Sequence, residues 1–243
     1  MEALATHLTD WIAAEVAAAG GTGAVFGLSG GIDSAVVAAL AKAAFPHHTL
    51  GIIMPCHSDP QDAEDAAVVA HHFEIPHCTV DLSPVHDVLV EQLCLCSSDL
   101  GDGGLATANL KPRLRMTTLY AFANQLNYRV LGTGNRSELT VGYFTKHGDG
   151  GVDFLPLGSL VKTEVRELAA YLGVPERIIE KPPSAGLWAD QTDEAEMGLT
   201  YEELDAYLLT SEASPAVKAK VDAMNAASEH KRGLPRIAPK PGA

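Results

Sequence analysis

Near the start of the chain, apolar residues recur with helical spacing at Leu4, Leu8, Trp11, Ile12 and Val16. Residues three and four positions apart lie on one face of an α-helix, so this spacing predicts an amphipathic helix that packs on the core. The pattern stops at Gly20-Gly21, and glycine is a common residue just beyond the end of a helix. The sequence therefore predicts a helix ahead of the first strand.

Downstream, short apolar runs alternate with longer amphipathic segments. Strands are predicted at residues 24–28, 50–55, 76–82 and 128–133. Helices are predicted at residues 35–45, 61–73, 85–95, 112–125, 162–172, 201–209 and 216–229. Such alternation is typical of a doubly wound α/β fold, in which a mostly parallel sheet carries helices on both faces. The last helices add a helical C-terminal part.

Two segments lack a clear period. Residues 97–108 are rich in Gly, Asp and Ser and are expected to form a surface loop. Residues 181–193 are interrupted by Pro and Gly and give no clear assignment. No internal repeat and no Pro/Ser-rich linker divides the chain. We therefore expect a single domain over residues 1–243, with a loose Pro-rich tail at residues 235–243.

Composition and charge exclude several classes of protein. The chain has 243 residues, of which 47% are hydrophobic, which is ample for a core. Its formal net charge of −14 argues against a nucleic-acid partner, which would need a basic surface. No apolar run approaches the roughly 20 residues of a membrane helix, and no Lys or Arg precedes Lys42 as in a signal peptide. We expect a cytoplasmic protein with no membrane partner.

The four cysteines form no CxxC pair and no disulfide-like framework. Cys94 and Cys96 fall in or next to a predicted helix, where two small apolar residues are a simpler explanation than a metal site. A reducing compartment is therefore expected.

One junction between a predicted strand and a predicted helix is rich in glycine. It reads Gly27-Leu28-Ser29-Gly30-Gly31-Ile32-Asp33-Ser34. Glycines here allow consecutive backbone N–H groups to converge on one oxyanion, and the helix N-terminus adds a partial positive charge. A Gly-rich turn can also serve packing alone, but the number of matching positions in this context favours a phosphate cradle.

The cradle lacks the Gly-Lys-Ser/Thr ending of a Walker A loop, whose Lys contacts the β- and γ-phosphates. Asp33 stands near its end instead, and a carboxylate suits Mg²⁺ rather than a bare phosphate. The pattern Ser-Gly-Gly-x-Asp-Ser resembles the pyrophosphate loop of the N-type ATP pyrophosphatases, which split ATP into AMP and pyrophosphate. Ligands of parallel sheets bind at the carboxyl ends of strands where strand order reverses. We expect the loop at residues 132–138 to face the cradle there.

Further motifs narrow the resemblance to one family. They lie at residues 109–116, 119–120, 132–139, 142–150, 153, 156–157, 162–163, 183–188, 191–194 and 230–232. Together with the cradle, this set resembles the ammonia-dependent NAD synthetases, and the resemblance extends from about residue 8 to residue 232. It implies their fold and their substrates, which are ATP, ammonia and nicotinate adenine dinucleotide (deamido-NAD).

The resemblance also implies roles for individual residues. Asp33 and Glu138 would bind Mg²⁺, for which their hard carboxylate oxygens are suited. ATP would contact the cradle residues Gly27, Leu28, Ser29, Gly30, Gly31, Ile32, Asp33 and Ser34, together with Thr133, Lys162 and Ser184. Deamido-NAD would contact Arg113, Lys146, Asp153, His230 and Lys231.

Taken alone, several of these residues have simpler explanations. Glu138 could be a solvated carboxylate in the first turn of a helix, which the helix dipole favours. Lys162 could be an exposed charge, and Arg113 with Arg115 could be no more than an exposed helix start. The assignment to substrates therefore rests on the resemblance.

The implied reaction follows from the chemistry of a carboxylate, which is a poor electrophile. Attack of the deamido-NAD carboxylate on the α-phosphorus of ATP forms a mixed anhydride with AMP and releases pyrophosphate into the cradle. Ammonia then displaces AMP and leaves the amide. Positioning and charge neutralisation by Mg²⁺, Lys162 and the loop N–H groups would supply most of the catalysis. The sequence identifies no base for ammonium, and Asp153 is our candidate.

Three positions depart from the family pattern. Pro112 replaces a small residue before Arg113, and Pro fits the first turn of a helix. His147 replaces a usual Tyr, and Asp190 replaces a usual Gly, which leaves the conformation of its loop open. None of these changes removes an expected ligand.

Other functions fit the sequence less well. A tRNA-thiolating ATP pyrophosphatase is expected to have reactive cysteines and a basic surface, and this chain shows neither. A glutamine-dependent synthetase would carry an amidase domain, for which 243 residues leave no room, so ammonia is the expected donor. A non-catalytic nucleotide-binding protein would not be expected to keep Asp33, Glu138, Lys162 and Lys231.

The resemblance finally implies a homodimer. The predicted helix at residues 112–125 has an apolar stripe with Phe122 beside it. The stripe consists of Met116, Leu119, Tyr120 and Ala123. We expect the apolar surface of this helix to be larger than one contact with the sheet requires. Two copies of the helix would then pair across a dimer interface, with Arg113 beside it. The alternative is that Phe122 packs under the loop at residues 97–108.

Overall fold

The computed structural model describes residues 1–102, 104–184, 186 and 192–240. Its strands are β1 (Gly23–Gly27), β2 (Thr49–Ile53), β3 (His77–Thr79) and β4 (Tyr128–Val130). They form one sheet in the order β3-β2-β1-β4, and every pairing is parallel. Each strand overlaps a predicted one, so the prediction of a parallel α/β sheet is confirmed.

Helices connect and cover the strands. The longer helices are α1 (Glu2–Ala18), α2 (Ile32–Ala44), α3 (Pro60–His72), α4 (Ser83–Cys94), α6 (Leu110–Leu126), α8 (Lys162–Leu172), α11 (Tyr201–Thr210) and α12 (Pro215–Ala227). The shorter helices are α5 (Leu105–Ala108), α7 (Arg136–Val141), α9 (Glu176–Ile179) and α10 (Asp193–Met197). In the described part of the chain, no helix is both long and apolar enough to cross a membrane.

The prediction of a surface loop at residues 97–108 is wrong in part. This segment contains a 3₁₀ helix, Ser98–Asp102, followed by α5. Elements of four or five residues are too short to leave a helical period in the sequence, so composition alone suggested a loop. The other short helices were not predicted for the same reason.

The two faces of the sheet pack against different helices. In β1, Ala24 and Phe26 join the apolar cluster that α1, α2 and α8 build on one face. Val25 points the opposite way, as the period of a strand requires, and joins the cluster that α6 builds on the other face. Helices on both faces make this a doubly wound fold, as predicted.

The apolar stripe of α6 packs on the chain's own sheet. Met116, Leu119 and Ala123 are buried in the same cluster as Val25, and the half-buried Phe122 packs against that cluster. The expectation that this stripe exceeds what the sheet needs is therefore wrong. The stripe gives no argument for a second copy of the chain.

The C-terminal helices form a third cluster around the fully buried Tyr201. The buried carboxylate of Asp205 in α11 accepts hydrogen bonds from Ser137 Oγ at 2.5 Å and from the backbone N–H of Thr163 at 2.7 Å. These bonds join α11 to the first turns of α7 and α8. The helical C-terminal part is thus fastened to the elements that follow β4.

Candidate active site

A cleft of about 910 Å³ opens at the carboxyl ends of β1 and β4. These strands are neighbours in the sheet although about 100 residues separate them in the chain, so strand order reverses between them. The cradle after β1 and the loop after β4, through Thr133 and Glu138, both line the cleft. The expected meeting of these two loops is therefore confirmed.

The cradle is a tight turn that only glycine allows at Gly30. This residue has a φ of +77°, and a Cβ atom would lie 2.5 Å from the carbonyl oxygen of Asp62. Ser34 Oγ donates to the carbonyl of Gly31 at 2.8 Å and lies 3.0 Å from Ser29 Oγ, which closes the loop on itself. The turn brings the chain directly into α2.

The N-terminus of α2 opens into the cleft. Its N-cap, Gly31, provides no side chain to cap the first backbone N–H groups. Gly31, Ile32, Asp33 and Ser34 all line the cleft. Uncapped N–H groups at the positive end of a 13-residue helix are suited to bind an anion.

Asp33, Glu138 and Lys162 converge at this point from the first turns of α2, α7 and α8. Lys162 Nζ is in direct contact with Asp33 Oδ2 and lies 3.5 Å from Glu138 Oε1. The Lys162 side chain is only 2% exposed, which excludes the reading of Lys162 as a surface charge. Three helix N-termini therefore bring two carboxylates to one buried ammonium.

The local electrostatics favour positive charge. Burial, and after it the charge of Asp33, raise the pKa of Glu138 to about 8, although the charge of Lys162 opposes the shift. Burial alone would lower the pKa of Lys162, but the charges of Asp33 and Glu138 outweigh it, and the net shift is upward. Lys162 therefore stays protonated, and a further cation beside Glu138 would lower the cost of ionising it.

Asn135 joins the two carboxylates. As the N-cap of α7, its side chain accepts from the backbone N–H of Glu138 at 3.0 Å, and Glu138 accepts in return from the N–H of Asn135 at 3.2 Å. Its amide nitrogen donates to Asp33 Oδ1 at 3.0 Å. Asn135 was not predicted to be a site residue, although Asn three residues before Glu is a capping-box signal.

Tyr201 and Asp193 complete the buried side of the cluster. The Tyr201 hydroxyl donates to Asp193 Oδ2 at 2.9 Å and lies 3.4 Å from Glu138 Oε1. Lys162 Nζ lies 5.1 Å from the centre of the Tyr201 ring, a cation–π contact. Asp193 is 4% exposed and lines the cleft. Burial raises the pKa of its carboxyl group, and its Oδ1 has no hydrogen-bond partner within the described residues. Neither residue was named from the sequence as a site residue.

The other residues expected to contact ATP also line the cleft. Thr133 follows β4, and Ser184 follows α9. Lys181, three residues before Ser184, donates to Asp62 at 2.8 Å and to Asp65 at 2.7 Å, which fastens this segment to α3. The remaining motif residues 185 and 187–191, with the departure at Asp190, lie outside the described residues.

The residues expected to contact deamido-NAD divide into two groups. Lys231 lines the cleft, where its ammonium donates to two backbone carbonyls at 2.7 and 2.8 Å. Arg113, Lys146 and His230 do not line it, and Lys146 contacts each of the other two. Arg113 Nε donates to the carbonyl of Lys146 at 3.3 Å, and Lys146 Nζ donates to the carbonyl of His230.

Asp153 lies apart from the Lys162 cluster. Its carboxylate is exposed and accepts from the Tyr120 hydroxyl at 2.9 Å and from the backbone N–H of Val130 at 2.8 Å. Tyr120 and His147 line a shallow groove of about 520 Å³ along α6, outside the cleft. The structure therefore places Asp153 beside this groove and not beside the phosphate cradle.

Arg115 is half-buried, which disfavours the alternative that it is only part of an exposed helix start. Its guanidinium lines the cleft and donates to the carbonyl of Met54 at 3.1 Å and to Ser58 Oγ at 3.1 Å. Burial lowers the pKa of Arg115. Residues two positions apart lie on nearly opposite sides of a helix, so Arg115 lines the cleft and Arg113 lies outside it.

Comparison with known proteins agrees with this geometry. The NAD synthase family model matches residues 4–235. An NH(3)-dependent NAD(+) synthetase of Carboxydothermus hydrogenoformans is 54% identical over 230 residues, which are 95% of this chain and 94% of that protein.

Solved structures show the same α/β fold. NMN synthetase from Francisella tularensis superimposes with a TM-score of 0.89 at 40% identity, over 98% of each chain. NH3-dependent NAD synthetase from Campylobacter jejuni superimposes with a TM-score of 0.79 at 29% identity, again over 98% of each chain.

Proposed function

Because this chain belongs to the NAD synthase family, we propose that it joins ammonia to the nicotinate carboxylate of deamido-NAD at the expense of ATP. The products would be NAD, AMP and pyrophosphate. The observation that carries the proposal is a phosphate cradle whose own carboxylate, Asp33, meets a second carboxylate and the buried Lys162. This arrangement combines anion-binding N–H groups with cation-binding oxygens at one place.

The cradle is proposed to hold the phosphates of ATP. The uncapped N–H groups of α2 would bind the β- and γ-phosphates and then the departing pyrophosphate. Gly30 keeps the turn narrow, and the contact between Ser29 and Ser34 keeps it closed. Because the N–H groups of the cradle are already in place, little free energy is spent on reorganising them as negative charge develops on the departing pyrophosphate.

Mg²⁺ is proposed as the cofactor, with Asp33 and Glu138 as its ligands. Both carboxylates contact the same ammonium group, so they lie within reach of one cation, and hard oxygens are what Mg²⁺ prefers. When bound, Mg²⁺ would neutralise the charge of the triphosphate. Asn135 would hold both carboxylates in place through its three hydrogen bonds.

Lys162 is proposed to stabilise charge on the α-phosphate during transfer of AMP to the carboxylate. Its raised pKa keeps it cationic at any working pH, and Tyr201 packs against it from the buried side. The nicotinate carboxylate would attack the α-phosphorus while the cradle holds the pyrophosphate in line. Ammonia would then attack the carbonyl carbon of the mixed anhydride and displace AMP. The chain thus acts by positioning and charge neutralisation.

Deamido-NAD is proposed to extend from the cleft toward α6. Lys231 would contact it inside the cleft, and the chain of contacts Arg113–Lys146–His230 would supply positive charge for its pyrophosphate outside. Asp153 would contact its ribose, or hold ammonium, from the side of the groove that Tyr120 lines.

A homodimer is proposed on a different argument from the α6 stripe. α4 has no buried residue, and its Val85 and Val88 are 52% and 59% exposed. A second copy would cover these side chains, and it would also enclose the α6 surface near Arg113 that one chain leaves open. The four free cysteines fit the reducing cytoplasm, which we propose as the location of the enzyme.

Turnover of the purified chain with ATP, Mg²⁺, ammonium and deamido-NAD tests the proposal. NAD should appear in proportion to AMP. Nicotinate mononucleotide should be assayed as an alternative substrate to deamido-NAD. The reason is that the structural match to an NMN synthetase, with a TM-score of 0.89, exceeds the match to an NAD synthetase, with a TM-score of 0.79. A higher kcat/KM for the mononucleotide would transfer the assignment to that substrate, and no amide product from either would refute the proposal.

A further inference from the structure

Outside the proposed catalytic cluster, two imidazoles and a carboxylate converge at the rim of the cleft. His57 belongs to the loop after β2 and lines the cleft, whereas His86 and Asp87 belong to α4. His57 Nε2 lies 2.5 Å from Asp87 Oδ1, and His86 Nδ1 lies 3.5 Å from the same oxygen. All three donor atoms lie within 4.8 Å of one another.

His86 has the surroundings of a metal-binding histidine. Its second ring nitrogen, Nε2, lies 3.4 Å from the carbonyl oxygen of the buried Thr107. A carbonyl can only accept, so the tautomer in which Nε2–H donates to Thr107 is the one that would free the Nδ1 lone pair for a metal ion. Without a metal ion, Nδ1 faces the carboxylate of Asp87, which also only accepts. Histidines that bind metals commonly have their other N–H held in this way by a carbonyl or a carboxylate.

The backbone also brings His57 over α4. His57 has a φ of +50°, a conformation that side-chain-bearing residues rarely adopt, and its backbone N–H donates to Ser83 Oγ at 3.1 Å in the first turn of α4. The loop is therefore held against the helix that carries the other two donor groups.

We propose that His57, His86 and Asp87 bind a divalent transition metal ion of the zinc class at the rim of the cleft. Imidazole nitrogens select such ions over Mg²⁺, which prefers an all-oxygen shell. Zinc bonds of about 2.0–2.2 Å to nitrogen and oxygen require donors a little over 3 Å apart, and these atoms approach that spacing. Three protein ligands leave one position open for water or a substrate group.

A bound ion would fasten the loop after β2 to α4 and stiffen this wall of the cleft. The site is independent of the proposed synthetase activity, since none of the three residues was assigned to ATP, Mg²⁺ or deamido-NAD. The alternative is a plain His–Asp ion pair, in which His57 holds the pKa of Asp87 below its usual range without any metal.

Calorimetric titration of the purified chain with ZnCl₂ distinguishes a metal site from a plain His–Asp ion pair. Excess Mg²⁺ is present to occupy other carboxylates. We expect one Zn²⁺ per chain and a rise in Tm, since an ion that binds only the folded state stabilises it. Asp87→Asn and His86→Ala should each weaken binding by at least about 100-fold, because loss of a supporting contact alone costs 10- to 100-fold. Asp87 is exposed, so its substitution should leave the fold intact.

The matched control is the double variant His71→Ala/His77→Ala. These rings lie 5.3 Å apart, and in the described part of the chain no acidic group completes a triad with them. This variant should bind Zn²⁺ like the wild type. No Zn²⁺ binding by the wild type, unchanged binding in both triad variants, or a thiolate-to-metal charge-transfer band with Co²⁺ would each overturn the proposal.

Discussion

The side-chain amide of Asn135 donates a hydrogen bond to Asp33 at 3.0 Å, across 102 positions of sequence. Asn135 also caps the helix whose first turn carries Glu138. One buried amide therefore sets the positions of both carboxylates that we propose as Mg²⁺ ligands. The spacing of the two carboxylates therefore depends on Asn135, to which no substrate contact is assigned, so Asn135 is a positioning residue.

Asn135→Ala should lower activity well beyond its effect on stability. Loss of the cap should cost about 1 kcal/mol of stability, and misplacement of the carboxylates should reduce kcat by about 10- to 100-fold. Ser214→Ala is the matched control, since Ser214 is the N-cap of α12, where its side chain accepts from the backbone N–H of Val217, and neither residue lines the cleft. Equal activity of the two variants would show that Asn135 only caps its helix.

Asp33→Asn and Glu138→Gln should each reduce kcat by about 10²- to 10⁴-fold, because each removes a carboxylate from the proposed Mg²⁺ shell, whose cation would stabilise the transition state. Higher Mg²⁺ concentrations should restore part of the loss. Glu203→Gln is the control, since Glu203 occupies in α11 the capping-box position that Glu138 occupies in α7. Near-normal rates at every Mg²⁺ concentration would contradict the metal assignment.

The stability of the metal-free protein should fall as pH rises through the titration range of Glu138. The pKa of Glu138 is about 8 in the folded chain against 4.5 without burial, so between these values the folded state holds a proton that the unfolded state has lost. Proton release with rising pH therefore favours unfolding up to about pH 8. Other groups titrate over the same pH range, so the effect of Glu138 is best measured as the difference in stability between the wild type and a variant that lacks this carboxyl group.

Glu138→Gln cannot ionise, and its Tm in the presence of a chelator should fall less than that of the wild type between pH 5 and 8.5. Thermal unfolding at several pH values measures this difference. Wild-type and variant curves that stay parallel over the range would show that Glu138 titrates normally in the folded state.

Val88→Glu should convert the protein to monomers if α4 meets a second copy. The side chain is 59% exposed, so a charge there should leave the fold intact and act only on association. Leu209→Glu on α11, where the side chain is 53% exposed, is the matched control. Light scattering at micromolar concentration reports the assembly state.

In the Val88→Glu variant, KM for deamido-NAD should rise and KM for ATP should stay the same, because the second copy of the chain would enclose only the α6 surface. A Val88→Glu monomer with full activity would refute a shared dinucleotide site. Phe122 is not a useful probe, since it packs on the chain's own sheet.

Ammonia should be the nitrogen donor for this chain. Cys56 is buried, burial raises the pKa of its thiol, and that of Cys78 is raised for the same reason, so neither is suited to attack glutamine. Activity with ammonium salts should increase with pH near neutrality as NH₃ replaces NH₄⁺. Efficient turnover with glutamine in ammonia-free buffer would contradict this prediction.

The sequence predicted the parallel sheet and the cleft because both depend on long periodic segments and on one glycine-rich junction. The glycine-rich loop itself pointed to Asp33 as a carboxylate suited to Mg²⁺, whereas Glu138 and Lys162 were identified through the family resemblance. The sequence could not show that Lys162 is buried between the two carboxylates, because burial depends on how α2, α7 and α8 pack.

Two parts of the site could not be predicted for specific physical reasons. Tyr201 begins α11, a helix that the sequence predicted, but a helical pattern does not show which distant residues its first side chain contacts. Asp193 begins α10, whose five residues are too few to leave a helical period. The α6 stripe was assigned to a dimer because sequence pattern shows how much apolar surface a helix has, but not which surface covers it. Here the chain's own strands cover Met116, Leu119 and Ala123.

Adenylation of the carboxylate can be followed by the transfer of isotopic oxygen from deamido-NAD to AMP. Deamido-NAD labelled with ¹⁸O in its nicotinate carboxylate should be converted with unlabelled ATP and ammonium, and the nucleotide and phosphate products analysed by mass spectrometry. If the carboxylate attacks the α-phosphorus, each NAD formed should be matched by one AMP that carries one ¹⁸O atom. Formation of ADP, or of ¹⁸O-labelled inorganic phosphate with unlabelled AMP, would contradict adenylation of the carboxylate.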